Sequence, residues 1–121
     1  MVIAQSVLLK RLPRPEFRAK ALADVNRIEI SGVLAELDAV RYTPSGIPVV
    51  QFRLAHESTQ EEAGNPRRVI CEIYGIAFER EARLLSGLKL GAELTVQGFL
   101  DRKSRGSGRL TVHATHIEFR N

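Results

Sequence analysis

The chain has 121 residues, of which 44% are hydrophobic and 26% are charged, as in an ordinary globular domain. No apolar run approaches the roughly 20 residues that a membrane-spanning helix needs, and the single cysteine, Cys71, can form neither an internal disulfide nor a zinc site by itself. A transmembrane protein and a disulfide-stapled extracellular domain are therefore excluded. We expect a cytoplasmic protein without a cofactor, because the stretch from Met1 to Leu9 also lacks the features of a signal peptide.

The charge balance favours a polyanionic partner. The chain carries 18 Lys and Arg residues against 14 Asp and Glu residues, which gives a net charge of +4. The basic residues cluster in three places, namely residues 10–20, the pair Arg67 and Arg68, and residues 102–109. This clustering predicts an uneven electrostatic field over the surface.

Residues 1–24 differ from the rest of the chain. Pro13 and Pro15 break any regular element, and no period of 2 or 3.6 is sustained. We predict a basic N-terminal arm without an ordered fold, either solvated or partly helical. The alternative is an arm whose cations contact phosphates or a partner. Residues 25–121 are predicted to form one domain.

Three strands are predicted in the first part of this domain. Alternation from Arg27 to Ser31 continues beyond Gly32 to Leu37, which is typical of a long strand bent at a glycine and serving two sides of a small barrel. The second strand directs Val50, Phe52 and Leu54 to the core. The polar residues 57–66 are predicted to be a connection. A third strand follows, with these side chains inside: Val69, Cys71 and Ile73.

One helix and two further strands complete the pattern. The helix is predicted over Ala77–Leu85, because Phe78, Ala82 and Leu85 share one stripe. A fourth strand is predicted around Leu94–Leu100, then a basic, glycine-rich loop at residues 102–109, then a fifth strand at residues 110–119. Five strands with one short helix between the third and fourth predict an all-β OB-fold barrel. Many such barrels bind single-stranded nucleic acid, although strand order alone does not establish that function.

The residues that could carry catalysis do not form a convincing site. Cys71 could pair with His56, His113 or His116, but its alternation with Val69 and Ile73 indicates a buried, small apolar side chain. His113 and His116 are three residues apart in a strand and are predicted on opposite faces. The sequence contains neither GxSxG nor a P-loop. We predict that the protein is not an enzyme and keep a thiol-dependent hydrolase as the alternative.

The loop between strands 4 and 5 has the features of a phosphate-binding element. Arg102, Lys103, Arg105 and Arg109 place four cations within eight residues, beside the face on which OB-folds bind single strands. Tyr42 and Tyr74 are the candidate stacking residues, because Phe52 and Phe78 are assigned to the core. With so few aromatic residues, we expect electrostatic attraction to contribute more than stacking.

Three segments carry a resemblance to a known family. Residues 44–52 (PSGIPVVQF), 60–64 (QEEAG) and 95–99 (TVQGF) resemble the PriB family of primosomal replication proteins, over about residues 26–119. The resemblance implies an OB-fold homodimer that binds single-stranded DNA and the PriA helicase, with the loader protein DnaT as a partner in some members, in the restart of stalled replication forks. The alternative is a general single-stranded DNA- or RNA-binding OB-fold protein that is not dedicated to the primosome.

The resemblance also implies site residues. Arg41 matches the basic residue before the PSGIP loop, and Arg67 or Arg68 matches the one before the third strand. The candidate DNA-binding set is Arg41, Tyr42, Arg53, Arg67, Arg68, Tyr74, Arg102, Lys103, Arg105 and Arg109. Ile70 stands where other members have a tryptophan, and Asn65 replaces an aromatic residue. Both changes remove stacking partners and imply weaker binding of single strands.

Overall fold

The computed structural model describes residues 24–120 and forms one closed barrel. Its elements are β1 Ile28–Leu37, β2 Arg41–Tyr42, β3 Pro48–Glu62, β4 Asn65–Phe78, α1 Arg80–Ser86, β5 Glu93–Arg102 and β6 Leu110–Phe119. The strand order is β1-β5-β6-β4-β3-β2, and an additional pairing of β1 with β3 closes the barrel. The pairing of β4 with β6 is parallel and the other pairings are antiparallel. The predicted five-stranded OB-fold is confirmed. The short strand β2 was not predicted; counted as a strand, it places the helix between the fourth and fifth strands.

The first strand serves both sides of the barrel, as predicted. It pairs with β5 over Ile28–Val33 and with β3 over Val33–Leu37, and a bulge shifts its register between Leu34 and Glu36. Gly32 lies where the partner changes. A Cβ at this position would collide with the backbone carbonyl of Ala55, so only glycine lets β1 pass this close to β3.

The core lies inside the barrel and under the helix. The predicted inward residues Val50, Phe52 and Leu54 are buried, together with Leu34, Leu94, Val96, Val112 and Ile117. Ala82 and Leu85 of α1 are fully buried against β3, β4 and β6. The helix therefore closes one end of the barrel with an apolar stripe.

The region between the second and third predicted strands is not a loop. Strands β3 and β4 continue past the barrel as a two-stranded hairpin, paired as far as Glu62 and Asn65 around a turn at Ala63 and Gly64. The prediction of a connection over residues 57–66 was wrong, because both faces of this hairpin are exposed to solvent. Its sequence therefore lacks the apolar alternation of a half-buried strand.

The extension of β3 and β4 beyond the barrel also explains why the burial of Cys71 was predicted wrongly. Its side chain has the predicted inward direction, opposite His56 in the hairpin, but it lies beyond the end of the core and is exposed. Its predicted burial is therefore wrong.

The predicted start of the helix was also wrong. Residues 77 and 78 belong to β4, and α1 begins at Arg80. Phe78 is 38% exposed, not a core residue. The spacing of Phe78, Ala82 and Leu85 matches that of a helical stripe. Phe78, however, is the last residue of β4, and only Ala82 and Leu85 belong to the helix.

The prediction for the arm of residues 1–24 lies almost entirely outside the described residues and stays a prediction. Among residues 24–120, no helix has both the length and the apolar character needed to span a membrane.

Candidate nucleic-acid interface

A groove of about 520 Å³ crosses the outer face of the barrel beside the loop from β5 to β6. Tyr74 of β4 forms part of its floor, and Arg102, Lys103 and Arg109 line it from the start and end of the loop. Four of the ten predicted site residues are therefore brought together, although 35 residues of sequence separate Tyr74 from Arg109. The pairing of β4 with β6 creates this proximity.

Tyr74 and Arg109, which both line the groove, form a stacked pair. The guanidinium carbon of Arg109 lies 4.1 Å from the centroid of the Tyr74 ring, which is the geometry of a cation–π contact. The hydroxyl of Thr111 donates a hydrogen bond of 3.1 Å to the backbone carbonyl of Tyr74 and ties β6 to β4 at this point. The site thus places a planar aromatic ring and a planar cation within reach of the same ligand.

The basic loop has its own hydrogen bonds. The backbone N–H of Lys103 donates to the carbonyl of Arg109 at 2.9 Å, the N–H of Ser107 donates to the carbonyl of Ser104, and the N–H of Arg109 donates to the Ser107 hydroxyl. Within residues 24–120, no ion pair involves the four loop cations Arg102, Lys103, Arg105 and Arg109. Their charges are therefore available to an anionic ligand.

The opposite wall of the groove is acidic. Glu36 and Asp38 line it together with the polar side chain of Gln51, whereas Asp101 lies on the loop side, next to Arg102. Arg53 is the cross-strand neighbour of Tyr74, and its guanidinium is held between Glu36, at 3.7 Å, and Glu72. The predicted site residue Arg53 thus lies beside the groove with its charge compensated, so an anionic chain is attracted most strongly to the loop side.

Arg67 and Arg68 lie on the hairpin, away from the groove. Arg67 forms an ion pair of 2.6 Å with Glu62, and Arg68 pairs with Glu57 across the two strands. All four side chains are exposed, and such surface pairs exchange partners at little cost. Ile70 is 69% exposed on the same hairpin.

Arg41 and Tyr42 form strand β2, which pairs with the start of β3 along the same edge that β1 uses. Tyr42 is 70% exposed and lines a separate recess, whose other residues include Pro48 and Arg83. These two predicted site residues are therefore exposed but do not line the groove of Tyr74 and Arg109.

Three aromatic rings that the sequence analysis did not assign to the binding site form an aromatic ladder across strands β4, β6 and β5. The imidazole of His113 stacks on Phe99, with centroids 4.8 Å apart and an interplanar angle of 9°, and faces Phe78 on its other side at 6.3 Å and 14°. Phe78 and Phe99 are 38% and 40% exposed. The sequence could have indicated that the Phe99 ring is exposed, because Phe99 has an outward position in the alternation of the fourth predicted strand. It gave no such indication for Phe78, which had been assigned to the core.

A bulge in β6 corrects another expectation. Gln97 pairs with His116 and Gly98 with Ala114, so Thr115 is an extra residue without its own partner. Ala114 and Ile117 are both buried, and His113 and His116 both lie on the outer side. The prediction of opposite faces is wrong because a bulge reverses the alternation.

The part of the chain that the structure describes contains no cluster of three His, Cys, Asp or Glu side chains suited to a metal. His56, opposite Cys71, accepts or donates hydrogen bonds at both ring nitrogens, with the Ser31 carbonyl at 2.6 Å and the Ser58 hydroxyl at 2.7 Å. Because a carbonyl only accepts, Nδ1 carries a proton and donates it to the Ser31 carbonyl. This arrangement ties β3 to β1 and leaves His56 no free nitrogen to act as a base for the thiol.

Known proteins resemble this chain along nearly all of the described region. A family model described as another single-strand binding protein family matches residues 26–116. The replication restart protein PriB of Bordetella pertussis is 40% identical over 89 residues, which cover 74% of this chain and 83% of that protein. The PriB proteins of Nitrosomonas europaea and Yersinia enterocolitica are 33% and 36% identical, over 84% and 81% of this chain and 93% and 95% of those proteins.

Solved structures agree with the sequence comparisons. The structure of PriB from Ralstonia solanacearum superimposes with a TM-score of 0.75 at 30% identity, over 81% of this chain and all of that one. A small single-stranded DNA-binding protein from Streptomyces coelicolor matches with a TM-score of 0.62 at 20% identity, over 83% of this chain and 96% of that one, and shows the shared fold. The family model and these relatives, together with the OB-fold barrel, show that the chain belongs to the PriB family of replication restart proteins.

Proposed function

We propose that the protein binds single-stranded DNA in the groove of Tyr74 and Arg109 and acts as an accessory protein in replication restart. The observation that carries the proposal is this groove, in which an exposed tyrosine lies under a guanidinium beside Arg102 and Lys103. Proteins that bind single strands combine aromatic stacking platforms with a positively charged path for the backbone. The groove supplies both, on a member of a family named for single-strand binding.

Binding in this groove is expected to be tolerant of sequence. The loop cations contact phosphates, which are the same in every nucleotide, and a tyrosine ring stacks on any base. No enzymatic step is proposed, because the groove contains neither the thiol of Cys71 nor a metal-binding cluster among the described residues.

Fluorescence anisotropy of labelled oligonucleotides tests this function. We expect binding of single-stranded DNA at low salt, with weaker binding of duplex DNA of the same sequence. RNA of equal length separates the dedicated DNA-binding function from a general OB-fold function, since no residue has been identified that reads a 2′-hydroxyl. Equal or tighter binding of RNA would favour the general function, and no binding of single strands at low salt would contradict the proposal.

The protein partner that we propose is the PriA helicase. The resemblance to the PriB family is what supports this partner, and DnaT is the second candidate. A fork-unwinding assay with PriA from the same organism should show faster unwinding when the protein is added. An unchanged unwinding rate, together with no complex in size-exclusion chromatography, would remove PriA as a partner.

We further propose that the protein is a homodimer paired through β1. The segment Ile28–Ile30 of β1 pairs with β5 along one of its edges. The other edge of this segment faces no strand among residues 24–120. An open edge of this kind invites pairing with a second copy, which a twofold axis closes. Sedimentation equilibrium at micromolar concentration should give twice the monomer mass of 13.5 kDa. A monomer under these conditions would contradict the proposal.

A further inference from the structure

We propose that the aromatic ladder of Phe78, His113 and Phe99 is a second base-stacking surface, over which a single strand continues from the groove of Tyr74 and Arg109. This inference rests on the proposed binding of single strands and specifies the path of the strand on the barrel. None of the three ladder residues belongs to the DNA-binding set predicted from the sequence and the resemblance, although Phe99 lies in the TVQGF segment that carries the resemblance.

The ladder is built by a close approach of two strands. Gly98 pairs at the bulge of β6, and a Cβ at this position would overlap the backbone carbonyl of His113. With glycine there, β5 comes close enough for the next residue, Phe99, to stack on the imidazole at 4.8 Å. The rings hold one another in place before any ligand arrives, which reduces the entropy that binding would otherwise cost.

The ladder is continuous with the groove. His113 is its middle ring and also lines the groove, and Ile76, its neighbour in the register of β4 and β6, lines the groove as well. A strand whose base stacks beside Tyr74 therefore meets His113 without leaving the surface. The path then leads outward over the half-exposed ring of Phe99.

A recess at the far end of the ladder has groups that suit a base. Its lining includes Phe99, Gln97 and Arg27, and also the carboxylates of Asp24 and Glu29. Arg27 is exposed and forms no ion pair within the described part of the chain. The side chain of Gln97 is held by Glu29 at 2.7 Å, so its position is fixed. Phe99 can stack on a base and the amide of Gln97 can hydrogen-bond to it, whereas Asp24 and Glu29 outweigh the charge of Arg27, so the phosphates are expected to stay outside the recess.

Two phenylalanine substitutions in the full-length chain test the proposal. The double variant Phe78→Leu, Phe99→Leu keeps apolar side chains and removes two of the three rings. The control is Phe119→Leu, because Phe119 lies on β6, is 49% exposed and has no stacked ring among the described residues. Thermal unfolding monitored by circular dichroism checks that each variant folds.

The probes are a labelled oligothymidylate long enough to extend beyond the groove and an abasic strand of the same length. We expect the double variant to bind oligothymidylate about tenfold more weakly than the wild type, as for the loss of a stacking partner. Its affinity for the abasic strand and its salt dependence should be unchanged, because the ladder contributes no cation. The Phe119→Leu control should behave as the wild type.

Four results would overturn the proposal: an unchanged affinity of the double variant, an equal loss with the abasic strand, an equal loss in the control, or a change in oligomeric state that accounts for the loss. If the double variant does not fold, photo-crosslinking of an oligonucleotide containing 5-iododeoxyuridine to the wild type decides the matter. Crosslinks at Phe99, His113 or Phe78 support the proposal, and crosslinks confined to Tyr74 overturn it. A wild-type protein that binds no single strand would contradict the proposed function itself, whereas normal wild-type binding without a role for the ladder would contradict only this inference.

Discussion

At the scale of single residues, the proposed site assigns stacking to Tyr74 and charge to Arg109. The ring offers a π surface to a base, and the guanidinium over it attracts a phosphate or extends the stack. The two contributions respond differently to salt. Stacking is nearly independent of salt, whereas each neutralised phosphate adds to the salt dependence through counterion release.

Replacing Tyr74 by leucine should therefore weaken the binding of single strands about tenfold without changing the slope of log K against log salt. Arg109→Ala should lower the magnitude of that slope by about 0.7, the contribution of one phosphate. Tyr42→Leu is the matched control, because Tyr42 is more exposed but lies outside the groove. Anisotropy titrations over a salt series measure both quantities. A Tyr42→Leu variant that binds as weakly as Tyr74→Leu would contradict the assignment of the groove.

Cys71 gives a prediction about stability. Its side chain is exposed on the hairpin, so Cys71→Ser removes little packing and should change the free energy of unfolding by less than about 0.5 kcal/mol. Binding of single strands should be unchanged. Urea denaturation measures the first quantity and anisotropy the second. A loss of binding together with normal stability would point to a chemical role for the thiol and revive the hydrolase alternative.

At the scale of the elements, the strands that border the core could be predicted and the features beyond the core could not. The alternation of Val50, Phe52 and Leu54 follows from a half-buried strand and is confirmed. The hairpin beyond the barrel carries no such alternation, because neither of its faces is covered. The groove was predicted in part, since the loop cations and Tyr74 were identified. The aromatic ladder was missed, because it exists only where three strands separated in sequence meet.

The helix α1 is an element whose contribution to stability can be tested. Leu85 is fully buried against the end of the barrel, so Leu85→Ala should destabilise the fold by about 2–5 kcal/mol through lost contacts and a residual cavity. Leu90→Ala is the control, because Leu90 is 62% exposed and should change stability by less than about 0.5 kcal/mol. Urea denaturation of both variants measures the difference. Equal stability of the two variants would show that the helix is not needed to close the barrel.

The hairpin of β3 and β4 and the loop from β5 to β6 are the two candidate elements for contacting phosphates. Arg67 and Arg68 are paired with glutamates, and the loop cations are not paired within residues 24–120. Changing Arg67 and Arg68 to alanine should therefore lower the salt dependence less than changing Arg102 and Lys103 to alanine. The two double variants remove the same charge, so anisotropy at matched salt compares them directly. A larger effect from the hairpin would move the path of the strand away from the groove.

At the scale of the whole molecule, the net charge of +4 understates the asymmetry of the surface. Glutamates compensate Arg53, Arg67 and Arg68, and carboxylates line one wall of the groove. The loop cations, which form no ion pair among residues 24–120, then dominate the field on the side of the groove. Such a distribution steers a polyanion to one face, and the effect decreases with ionic strength.

The central claim is that the loop from β5 to β6 supplies the main electrostatic contact with single-stranded DNA. If each of the cations Arg102, Lys103, Arg105 and Arg109 of one subunit neutralises one phosphate, log K should fall against log salt with a slope of roughly −3, and a dimer with two such loops gives a steeper slope. The decisive measurement is a salt series of anisotropy titrations on three proteins. They are the wild type, the loop variant with these four residues changed to alanine, and a charge-matched control with four arm residues changed to alanine, namely Lys10, Arg11, Arg14 and Arg18. We predict a much shallower slope for the loop variant and a slope close to that of the wild type for the control. An unchanged slope in the loop variant would contradict the account.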